Sequence, residues 1–101
     1  MDQYLKWHEM LQLAPNTKVV QAVARDYVRE LGPLVTALPE PCRAALAGDI
    51  DVQAAAVVLL REEMRFEGME QARDLLRSVA FTFALAAVRI AQLHSGPTPE
   101  A

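Results

Sequence analysis

Three residues of this chain combine titratable chemistry with positions where such chemistry is expensive: Glu63, His8 and His94. Projected at 100° per residue, a helix starting at Val52 places Glu63 in the middle of an arc made by Val52, Ala56, Leu59, Leu60 and Phe66. An unpaired carboxylate on such a face is costly. His8 sits in the apolar arc of an N-terminal helix with Tyr4, Trp7 and Leu11, and His94 borders the apolar stripe of the last helix. A contact of Glu63 with either histidine would make a buried pair, or the start of a metal, ligand or acid–base site. The spacing falls short of the HExxH or ExxH patterns that zinc and di-iron sites use. The metal or small-ligand bundle therefore stands as an alternative, and no cofactor or metal is expected.

Other nucleophiles offer less. Cys42 follows Pro41 at a helix start, where amide dipoles can lower a thiol's pKa, but no histidine lies near it in sequence. A small buried cysteine accounts for it. Ser78, Thr82 and Ser95 form no nucleophile elbow, and the four glycines stand singly at helix ends instead of forming a phosphate-binding loop. No catalytic residue is expected, and the chain reads as a non-enzyme.

Charge and composition narrow the partners. Ten Lys and Arg against thirteen Asp and Glu leave a formal net charge of -3 with no clustered cations. Phosphate neutralisation needs such clusters, so nucleic acid is not an expected partner. The single cysteine forms no internal disulfide, which fits a reducing cytoplasm. The opening MDQYLKWHEMLQL carries acids where a signal peptide needs a basic start and an unbroken apolar stretch, so no export signal is expected. At 101 residues there is room for one core and no second domain.

The elements that must position these side chains are helices, since no segment alternates as a half-buried strand would. A short amphipathic helix over 2–13 ends at Pro15. Asn16 or Thr17 caps the next, in which Val20, Val23, Ala24, Tyr27, Val28 and Leu31 turn inward until Gly32 and Pro33 stop it. Prolines at 39 and 41 forbid a continuous helix, which predicts a turn at 34–38 and a short helix near 41–47 closed by Gly48. Asp49 or Asp51 then caps a helix over 52–67, and the longest helix covers 70–94.

Gly68 is the joint between these last two. An unbroken rod over 52–94 would be about 65 Å long and would require an intertwined dimer. A tight hairpin is expected instead. It also breaks up an acidic stripe of Glu63, Glu67, Glu70 and Asp74, leaving a solvated face shared with Arg61, Arg65, Arg73 and Arg77. The expected fold is all-α: a small bundle of four or five helices with a C-terminal hairpin at about 52–67 and 70–94. Residues 1–95 make a single domain, and 96–101 a disordered tail.

The run from Ser78 to Val88 contains no charge. Eleven residues cannot span a bilayer, which takes about 20, so no membrane partner is expected. One face of this helix, Ala72, Leu75, Leu76, Val79, Phe83, Ala86, Ala87, Ile90 and Leu93, is an ordinary core stripe. The opposite face passes from Glu70, Asp74 and Arg77 through Phe81, Leu85 and Val88 to Gln92. It is apolar for two turns where a solvated back would stay polar, and Ala84 would permit close helix approach. Such a patch points to a homodimer or another protein. The expectation is a cytoplasmic, non-catalytic interaction or regulatory module, with Phe81, Leu85, Val88 and Ala84 in the contact surface. A helix-turn-helix regulator drawn from Ala44 to Leu60 is a second alternative, disfavoured by the apolar character of its second helix.

Overall fold

The computed structural model describes residues 2–95, and side chains for 6–94. Among the described residues there is no strand, and five α-helices follow one another: α1 (Asp2–Leu13), α2 (Thr17–Leu31), α3 (Glu40–Ala45), α4 (Val52–Arg65) and α5 (Glu70–Ser95). A 3-10 segment, Gly32–Ala37, links α2 to α3. The chain is thus a small all-α bundle. The tail expected over 96–101 lies outside the described residues. No described helix is long and apolar enough to cross a membrane.

The helix starts are set by short polar side chains. Asn16 Oδ1 accepts the Val19 amide at 2.9 Å, and Asp51 Oδ1 accepts that of Ala54 at 3.1 Å. Each satisfies an amide that the first turn would otherwise leave without an acceptor. Gly32 and Gly48 adopt φ of +55° and +64°, a region that costs an L side chain about 1–2 kcal/mol, and there the chain turns out of α2 and out of the α3 region. The prolines act as expected, although the 3-10 segment starts two residues before the expected turn. The short helix starts one residue before 41 and ends two before 47.

Between α4 and α5 the helix breaks. Phe66 is extended (φ -69°, ψ 132°), so α4 ends at Arg65 and not at 67. The Phe66 ring folds over Gly68, where a Cβ would collide with it. No Ser, Thr or Asp caps α5. Instead the Arg73 guanidinium reaches back from its first turn and donates to Phe66 O at 2.6 Å, fixing both helices at the corner.

α5 packs most extensively on α4, and α2 and α1 lie against its remaining core side. Phe83, Leu76 and Val79 on α5 are fully buried with Leu11 of α1, Val20 of α2, and Val52 and Leu59 of α4. Trp7, Tyr27 and Phe83 join α1, α2 and α5, with Trp7 edge-on to Tyr27 at 5.6 Å and Tyr27 tilted to Phe83 at 6.3 Å. Each such pair contributes about 0.5–1.5 kcal/mol beyond burial. Leu60, expected in the buried arc of α4, is 41% exposed. The buried arc centres on Val52, Ala55, Ala56 and Leu59, which puts Leu60 at its edge.

Candidate functional site

Arg89, in the middle of the last half of α5, turns toward α1 and donates from Nε (3.2 Å) and Nη2 (2.8 Å) to Ala14 O. This clamps the end of α1 along one flank of α5. Seven residues earlier, Thr82 Oγ1 lies 3.5 Å from His8 Nε2, and the His8 ring stands edge-on to Phe81 with centroids 5.2 Å apart. Thr82 is the single buried polar residue among those described. Burial holds the His8 imidazole below its ordinary 6.5, favouring the neutral ring that this contact uses.

Between α1 and α5 runs an open groove of about 520 Å3, lined by His8, Glu9, Gln12, Phe81 and Leu85. Leu85 is half-buried at its floor. Phe81 is 53% exposed and Val88, one turn beyond Leu85, is 52% exposed. Ala84 lies between them, partly covered. The four residues expected to form a contact surface therefore line up along the outer face of α5. That face is flanked by α1 on one edge and by α4 on the other.

The alternative grouping of Glu63, His8 and His94 is not assembled. Glu63 accepts from Arg77 Nε at 3.4 Å, and His94 Nε2 lies 3.4 Å from Thr17 Oγ1. Arg77, Thr82 and His94 are successive stations on α5, about 7 and then about 18 Å apart along its axis at 1.5 Å per residue. Their partners are spread accordingly. Among the described residues no three His, Cys, Asp or Glu side chains converge as a metal site would require. Glu63 does lie on the inward arc of α4, with its side chain 24% exposed. It stands in the last turn of α4, where a long side chain bends out to an arginine on the neighbouring helix.

The helix pair of the second alternative, from Ala44 to Leu60, is not formed either. That span contains the last two residues of α3, a non-helical stretch and one helix, α4, whose exposed face presents Val57 and Leu60. Cys42 is fully buried, and burial followed by the negative charge of Glu62 pushes its thiol up to about 11. It is inert at neutral pH.

Thr82 and Arg89 are the positioning residues that the sequence reading passed over. A signal existed for the first. Thr82 is the one hydrogen-bonding side chain between Ser78 and Arg89, so its burial on the core side of α5 called for a polar partner from a neighbouring helix.

Compared with known proteins, the chain matches no family model, no curated protein and no solved structure.

Proposed function

We propose that this chain is a non-catalytic, cytoplasmic interaction or regulatory module that assembles as a homodimer through the outer face of α5. The observation that carries this reading is the half-exposed pair Phe81 and Val88, separated by less than two turns in the middle of the longest helix. Apolar side chains standing singly on a surface need no explanation, but these two share a face with Ala84 and Leu85. Covering a half-exposed phenylalanine and valine removes apolar area from water at about 25 cal/mol per Å2, and the partner's matching patch doubles the gain. Arg77, Glu63 and Gln92 form a polar rim that sets orientation. Neither nucleic acid nor a membrane enters this reading.

Light scattering at micromolar concentration tests it. The expected mass is twice the 11.2 kDa of one chain. Phe81→Glu should yield a folded monomer, because the side chain it alters faces outward. A wild-type mass of one chain overturns the reading.

A further inference from the structure

The apolar face extends beyond α5. Glu63 reaches Arg77, so the edge of α4 carrying Glu63 lies beside the edge of α5 carrying Arg77. On α4, Leu60 adjoins Glu63 one turn back, with Val57 and Met64 next to it on the solvent side; they are 41%, 53% and 82% exposed. In an antiparallel hairpin each step back from Glu63 is matched by a step forward from Arg77. Leu60 is then level with 80–81 and Val57 with 83–84. The two helices together present Val57, Leu60 and Met64 alongside Phe81, Ala84 and Val88.

Size separates the one-helix from the two-helix surface. Between Arg77 and Gln92, α5 alone offers a projected strip of about 22 by 10 Å. A standard interface covers about 800 Å2 of accessible surface per partner, several times that strip. Adding α4 doubles the footprint and brings in three large apolar side chains, which moves it toward the scale that a stable dimer needs.

The order of residues along α5 then selects the orientation. Phe81 and Val88 are equidistant from the midpoint between Ala84 and Leu85, and so are Arg77 and Gln92. A two-fold axis at that midpoint sets Phe81 of one chain against the partner's Val88, Ala84 against the partner's Leu85, and Arg77 against the partner's Gln92. The smallest side chain falls where the helices approach most closely. Parallel pairing would instead oppose Arg77 to the partner's Arg77 and Asp74 to the partner's Asp74, and like charges so placed repel.

Resting on the homodimer reading above, we infer that the occupant of this face is a second copy of the chain, docked antiparallel. The two α4–α5 hairpins form a four-helix layer centred between Ala84 and Leu85, with Leu60 of α4 inside the interface.

Cross-linking with diamide in the full-length chain tests the arrangement, and the fully buried Cys42 stays silent in it. Ala84→Cys should give a covalent dimer. An equimolar mixture of Phe81→Cys and Val88→Cys should cross-link, whereas each alone should not. Leu60→Glu, at an exposed position, should weaken dimerisation at least about tenfold while leaving the helical signal unchanged. If the wild type is dimeric but Phe81→Cys cross-links to itself, or if no α5 variant cross-links, the antiparallel assignment falls. An unchanged dimer in Leu60→Glu removes α4 from the interface. A monomeric wild type overturns the homodimer reading itself, so the two failures are distinguishable.

Discussion

At the scale of single residues, Cys42 has the most sharply defined chemistry. Its thiol is buried among apolar side chains, and burial together with the charge of Glu62 raises its pKa from 9.0 to about 11. A group whose folded-state pKa lies above its unfolded value stabilises the fold below the unfolded pKa. That contribution is lost as pH rises through the folded one. The window here is pH 9 to 11, and the loss is on the order of 2–3 kcal/mol. The native protein should therefore resist a thiol reagent such as DTNB at pH 8 and react at once when unfolded in urea. Rapid stoichiometric labelling of the folded protein would show the thiol to be accessible. His8 works in the opposite direction: with its pKa held below 6.5, its contribution is present above that value and is lost as pH falls into the acid range.

At the scale of elements, the helix boundaries rest on two side-chain caps, and these make a matched pair of tests. Asn16→Ala and Asp51→Ala should each lower stability by about 1 kcal/mol in urea unfolding, with no change in the slope against denaturant. A loss within error of zero for either would mean that the cap is replaced by water. The same two residues show why so much of the fold was legible in the sequence. Caps, prolines and glycines act within three or four residues, and the apolar faces of α2 and α5 repeat cleanly enough to identify their core sides. The groupings that failed required knowledge of what lies across from a helix. Glu63 could not be separated from the core of α4 without Arg77, fourteen residues away. His8 and His94 found their partners over more than seventy residues, one within the uncharged run and the other beyond it. The outer face of α5 was legible as an apolar stripe opposite the core side; periodicity did not say what covers it, and within the chain Phe81 and Val88 stay half-exposed while Leu85 is partly buried.

At the scale of the whole molecule, the shape is 50 by 25 by 24 Å, set by the long hairpin with the shorter helices applied to it. Besides the local Trp7–Tyr27 contact with α2, three polar contacts that seat α1 and the residues just after it join positions far apart in sequence: His8 with Thr82, Ala14 with Arg89, and Thr17 with His94. Closing chain loops of that length costs entropy before any contact forms, whereas the α4–α5 corner closes over a few residues. This order in space becomes an order in time. The hairpin should be structured in the folding transition state and α1 should dock afterwards. Leu11→Ala should then accelerate unfolding and leave the refolding rate nearly unchanged, while Leu76→Ala should slow refolding, both read by stopped-flow fluorescence of Trp7. Equal slowing of refolding by both would contradict that order. In the cell the consequence falls on the ribosome. Trp7 can meet Tyr27 as soon as α2 is made, but His8 and Ala14 have no α5 partners until Thr82 and Arg89 follow, so α1 cannot take its final seat until most of the described chain has been synthesised.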